Sequence, residues 1–218
     1  MNDIPATASK YPKGLTILAN IISYIFHPVF MPVIMAAGVY FLSPASFAGI
    51  DISMFGQWLL IMGFLTVFFP LFTLFLLKKL DFIESIQLHT AKDRIIPLIA
   101  TMIFYFWANM VFGNIPNVPM ILHLVTLSSF WGIILLFLIN IFFKVSMHTA
   151  AAGSYVGLMI VLAMTSPVNM ILLFFATVLV AGAIGTARRI LGAHGSGEIW
   201  LGYAIGILVT LAAYIYLK

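Results

Sequence analysis

Residues 118–143 read VPMILHLVTLSSFWGIILLFLINIFF, a run of 26 positions that carries no Lys, Arg, Asp or Glu. A helix needs about 20 apolar residues to cross the hydrocarbon core of a bilayer, so this run is long enough to span. It lacks the strict apolar/polar alternation of a barrel strand, and closed barrels are the only sheets that lipid permits. Comparable apolar stretches lie on both sides of it, at Leu15–Leu42, Phe55–Leu77, Ile95–Phe112, Met147–Met164, Val168–Thr186 and Ile199–Leu217. Hydropathy therefore predicts an all-α polytopic membrane bundle of six to seven helices in one domain, residues 1–218. The count is soft at the first stretch, which is too long for a simple span and holds His27-Pro28 and Pro32. Those prolines remove backbone donors, so either a kinked span or an interfacial helix followed by a shorter insertion is expected there.

Composition agrees. Of 218 residues, 63% are hydrophobic and 7% charged, where a soluble domain carries about 25% charged residues. The net charge of +4 comes from ten Lys and Arg against six Asp and Glu with no basic run, which excludes nucleic-acid binding as a main role. There is no Cys, so disulfides, cysteine catalysis and thiolate metal sites are excluded. Met1–Gly14 is polar and mixed in charge. The apolar stretch after it is far longer than the roughly 7–15 residues of a signal-peptide core, so it reads as the first membrane segment.

If every stretch crosses, one face of the membrane receives Lys10, Lys13, Lys78, Lys79, Lys92, Arg94, Lys144, Arg188 and Arg189, and the other only Lys218. The positive-inside rule then places the basic face in the cytoplasm. Polar residues gather on that face in three clusters. The first is the connector Lys78–Arg94, the second Lys144-Val-Ser-Met-His148, and the third Arg188 to Glu198, which includes His194. Loop decoration accounts for Lys78 and Lys79. It does not account for His148 and His194, because neutral histidine does nothing for topology. Polar groups concentrated at one face of a membrane protein point to a site.

In the third cluster a carboxylate at Glu198 can fix the His194 tautomer and raise its basicity. Arg188 offers a planar fork for phosphate oxygens, and the nearby glycines allow close backbone approach. Arg189 is the alternative ligand by a slip of register. In the second cluster Ser146 and His148 open a helix, whose free N–H groups favour an anion. The following Ala150–Gly153 run allows tight helix contact, as does Gly202-x-x-x-Gly206. Lys144, Lys92 and Arg94 add cations.

Together these residues resemble the type-2 phosphatidic acid phosphatase and vanadium haloperoxidase superfamily, whose motifs run K-x6-R-P, P-S-G-H and S-R-x5-H-x3-D. The third is matched by Arg188, His194 and Glu198 at the same spacing, with Ala187 for Ser and Glu198 for Asp. The second is matched by Ser146 and His148 without the Pro and Gly. In the first, Arg94 is kept, Gln87 stands where Lys is expected, and proline is delayed to Pro97. The resemblance covers residues 90–206 and implies a metal-independent phosphatase, without a cofactor, acting on a lipid phosphate or diphosphate at a membrane face. His194 would be the nucleophile, Glu198 its orienting group, and His148 the proton donor to the leaving group. Arg188, Ser146, Arg94, Lys92 and Lys144 would hold phosphoryl oxygens. It also implies a multi-pass protein of a bacterial inner membrane, although many bacterial members work on the outer face. Phosphatidic acid, phosphatidylglycerol phosphate, undecaprenyl diphosphate and lipid A phosphate remain open as substrates. A catalytically degenerate headgroup binder or membrane assembly partner is an alternative reading, and an anion or lipid transporter a third. The oligomeric state is not legible.

Of the other polar residues, His27 reads as satisfying the kink, His89 as solvated and His123 as structural. Asn109, Asn140 and Gln57 are expected to make interhelical hydrogen bonds. Asp81, Glu84 and Asp93 form one acidic set, where a magnesium-dependent prenyltransferase would need two. Asp81–Arg94 reads as an interfacial segment through which a headgroup enters sideways.

Overall fold

The computed structural model describes residues 11–49, 51–83 and 91–218, with residues 52 and 91–94 as backbone only. The described residues form helices and turns and contain no strand. The helices are α1 (Lys13–Ile25), α2 (Met31–Leu42), α3 (Phe55–Gly63), α4 (Phe69–Lys79), α5 (Ala91–Asn114), α6 (Met120–Phe142), α7 (Met147–Thr165), α8 (Ile171–Ile190) and α9 (Ser196–Leu217). Grouped by continuity they make seven segments long and apolar enough to cross a membrane. The protein is a polytopic helical bundle.

The first segment is broken where the prolines fall. α1 ends at Ile25, a single 3-10 turn covers Pro28–Phe30, and α2 restarts at Met31. His27 caps that turn, its Nδ1 accepting from Val29 N at 3.4 Å. α1 turns a stripe of small residues, Ala19 and Ser23, against α8 and leaves Leu15, Ile17, Leu18 and Tyr24 outside. In lipid, large apolar side chains gain nothing by turning inward, whereas small ones let helices approach.

The second segment has a different interruption. Pro70 lacks an N–H, and its ring would collide with the carbonyl of Thr66 in a regular helix. A π-turn at Phe64–Phe68 joins α3 to α4 just before it and takes up the misfit. The Thr66 hydroxyl bonds back to the Met62 carbonyl at 2.8 Å.

The bundle is organised around α7. In its membrane window 61% of the residues are buried in protein, against at most 39% in any other span. Its closest partner is α9, and glycine makes that contact possible. A β-carbon on Gly206 would strike the Ala150 carbonyl oxygen and lie 2.5 Å from Ser154 N, and one on Gly153 would lie 2.5 Å from the Tyr203 carbonyl oxygen. Both small-residue runs singled out in the sequence serve this one interface. α8 lies on one flank of α7, with α1 against it. On the other side the main core cluster joins α2, α3, α5, α6, α7 and α9 through Met35, Trp58, Phe112, Leu124, Leu158 and Ala213.

The polar groups within the spans refine the sequence reading. His123 Nε2 meets Asn109 Oδ1 at 3.1 Å, tying α6 to α5. Asn140 does not bridge helices. Its Nδ2 donates to Leu136 of its own helix at 2.8 Å, and its Oδ1 accepts from Val145 N at 3.2 Å, closing the turn into α7. Gln57 is exposed.

Candidate functional site

The three elements that carry the second and third clusters end at one place. α7 starts there, α8 ends there, and α9 starts there. Ser146 sets the start of α7: its Oγ accepts from Thr149 N at 3.4 Å, and its own N–H donates to the Glu198 carbonyl oxygen at 3.3 Å. The hydroxyl expected to hold phosphate is thus fully buried and capping the helix. α8 stops at Gly192, whose φ of +64° is the left-handed conformation that glycine adopts without strain. Gly192 N donates to Arg189 O at 3.0 Å and Ala193 N to Arg188 O at 3.1 Å. Gly192 is therefore a helix stop. The stop turns the chain so that His194 and α9 fold back beside α7.

His194 and Glu198 form the best-defined pair. Nδ1 of His194 donates to Glu198 Oε2 at 2.8 Å, and the same oxygen accepts from Gly195 N at 3.3 Å. Glu198 stands in the first turn of α9, so its carboxylate satisfies an orphan backbone N–H of the helix start while it fixes the histidine ring. With Nδ1–H committed to the carboxylate, Nε2 keeps its lone pair. The His194 side chain is only 8% exposed. Burial holds its pKa below the usual histidine value; the Glu198 hydrogen bond and charge oppose this, while the charges of Arg188 and Lys144 reinforce it. Near neutral pH the ring is therefore an uncharged base aimed away from its carboxylate. Lys144 closes the exposed side, with Nζ 2.9 Å from the Ala193 carbonyl oxygen and 3.9 Å from Glu198 Oε2.

The other half of the site meets on α1. His148 Nε2 donates to the carbonyl oxygen of Ser23 at 3.2 Å, and Arg188 Nη1 donates to the Ser23 hydroxyl at 3.3 Å. Two donors from different helices thus converge on the two oxygens of one residue. The ring of His27 stands edge-on to that of His148, with centroids 5.3 Å apart. Arg188 is half-buried and Arg189 exposed, so the helix register turns Arg188, rather than Arg189, toward Ser23.

Of the residues that the sequence singled out, Lys144, Ser146, His148, Arg188, His194 and Glu198 are brought to one end of the bundle. Lys92 and Arg94 begin α5, but their side chains lie outside the described residues, as do Gln87, His89 and most of the connector read as an interfacial segment. Ser23 was not anticipated. Its only local mark is its spacing of four from Ala19 on a small-residue stripe, and nothing in the sequence ties it to partners 125 and 165 positions away. Among the described residues no group of three His, Asp or Glu side chains is placed to hold a metal ion. No protein-family model, curated protein or solved structure matches the chain.

Proposed function

We propose that the protein is a phosphatase for a lipid phosphate or diphosphate, working without a metal through a phosphohistidine on His194. The observation that carries this reading is the 2.8 Å bond from His194 Nδ1 to Glu198, which leaves Nε2 as a nucleophile beside an arginine and a second histidine. Phosphoryl transfer demands positioning and stabilisation of charge on the equatorial oxygens, and Arg188, Lys144 and the start of α7 supply both. In the first step the Nε2 lone pair bonds to phosphorus, the P–O bond to the lipid breaks, and the leaving oxygen takes the proton from His148 Nε2. In the second, water attacks phosphorus, His148 accepts its proton, and the N–P bond breaks to release phosphate. The oxygens of Ser23 now occupy the donors of His148 and Arg188, and the substrate's oxygens would take their place. The motif resemblance and the membrane setting support an amphiphilic substrate. The charge distribution supports a site on the cytoplasmic face of a bacterial inner membrane.

The test is phosphate release in detergent from a panel of lipid phosphates with chelator present, comparing wild type with His194→Ala. Release that survives chelation and vanishes in the variant supports the proposal. Absence of release by folded protein overturns it and leaves a headgroup binder, with Glu198 and Gln87 as the departures to examine.

A further inference from the structure

Beside the site lies a partly open cavity of about 170 Å³. Its wall includes His27 and Met35 from the first segment, Leu74 from α4, Tyr105 from α5, Gly132 from α6 and Ala151 from α7. Pro28, Pro32, Pro70 and Pro97 all border it. Along α7 it extends from Met147 to Ser154, about 10 Å of helix axis starting at the level of the site.

The wall is chemically suited to hydrocarbon. Its serine and threonine hydroxyls are turned onto backbone carbonyls: Thr101 to Pro97 at 2.7 Å, Ser128 and Ser129 to Val125 at 3.2 and 2.7 Å, and Ser154 to Gly206 at 3.4 Å, so the Tyr105 hydroxyl and the His27 ring are the other polar side-chain groups of the wall. A cavity holds water only where polar partners remain to bind it. A second apolar groove, between Ile25, Phe30 and Val33 of the first segment and Val67, Leu71 and Phe72 of the second, shares Leu71 with the cavity. That groove gives a lateral approach between the first two spans.

Position decides the occupant. His148 is the group that protonates the leaving oxygen in the reading above, on which this inference rests. Its ring touches that of His27, and His27 is part of the cavity wall. His194 is paired with Glu198, which stands beside exposed Lys144. In an in-line displacement the leaving group departs opposite the nucleophile, so the group that protonates it marks where the lipid lies, and His148 adjoins the cavity through His27. We infer that the cavity holds the first stretch of a single acyl or prenyl chain of the lipid phosphate, with His27 at the neck between headgroup and tail.

Gly132 gives the means to test this. It lines the cavity, and a β-carbon built on it meets nothing within 4 Å, so Gly132→Leu introduces a side chain at the cavity wall with no clash at its β-carbon. The probe is a phosphatidate with a photoactivatable diazirine near the head of one acyl chain, cross-linked in detergent to wild type, His194→Ala, Gly132→Leu and, as a second filling variant, Ala151→Leu. Adducts are mapped by mass spectrometry, and melting temperatures establish that each variant is folded. The expected result is adducts on Met35, Leu74 or Tyr105 in wild type and in His194→Ala, lost several-fold in a folded filling variant, while adducts on the outward-facing Phe106 persist. Adducts confined to outward-facing residues, or cavity adducts indifferent to filling, would overturn the inference. Cavity adducts without phosphate release from any substrate would sustain the tail site and sink the phosphatase reading.

Discussion

Gly202→Ala tests whether the α7–α9 contact sets the site. Gly202 stands one turn after Glu198 and packs on the first turn of α7. A β-carbon there would strike the Thr149 hydroxyl and lie 2.8 Å from the Ser146 carbonyl oxygen and 3.1 Å from Ala150 N. Ordinary contact begins at 3.4 Å, and the Thr149 hydroxyl is tethered to Ser146 O at 3.1 Å. The two helices must therefore part by about 1 Å, an overpacking that costs about 1–3 kcal/mol. Alanine returns about 1 kcal/mol of helix propensity, so the net loss of stability is small, about 0–2 kcal/mol. The catalytic loss is larger, because His148 rides on α7 and Glu198 on α9. Misplacement on the scale of 1 Å costs about 10²-fold in rate. Gly182→Ala is the control: a β-carbon there meets nothing within 4 Å, and it should gain about 1 kcal/mol with unchanged activity. The assay is phosphate release from a lipid phosphate in detergent alongside thermal melting. A folded Gly202→Ala protein with wild-type activity would refute the reasoning that helix spacing positions the two histidines.

Two further expectations concern the site directly. Glu198→Gln removes the hydrogen-bonded charge that raises the His194 pKa, so the acid limb of kcat/KM should move to lower pH, away from the usual value of about 6.5, while kcat falls by about 10²-fold or more as the ring loses its fixed tautomer; a limb that moves upward in a pH-rate profile would contradict the assignment. Arg188→Ala should lower kcat/KM by roughly 10²-fold, the worth of about 3 kcal/mol of charge-assisted hydrogen bonding, whereas Arg189→Ala should leave it near wild type; equal losses in steady-state kinetics would show that the register is misassigned.

Much of the fold could be read from the chain because lipid leaves few options. Continuous apolar runs such as Val118–Phe143 must be helices, and the structure places α6 at Met120–Phe142. The break at His27-Pro28 and the close approach at Gly202 and Gly206 follow from local chemistry. Features that depend on packing were not legible. The π-turn before Pro70 is one of several ways to absorb a proline. The role of Gly192 as a helix stop depends on where α8 ends, which the sequence leaves open. In the site, His194 and Glu198 could be paired by spacing alone, since the carboxylate reaches back from the first turn of α9. The convergence of His148 and Arg188 on Ser23 could not, because it depends on α1 packing against α8 across most of the chain.

The most direct test of the central claim is to trap the phosphoryl-enzyme. Wild-type protein mixed with a lipid phosphate labelled at phosphorus, quenched in base within a turnover and mapped by mass spectrometry, should carry phosphate on His194 alone, in a base-stable, acid-labile linkage. The label should be absent from His194→Ala. Phosphate released by the wild type with no label on His194 at any quench time, or label that persists in His194→Ala, would contradict the account.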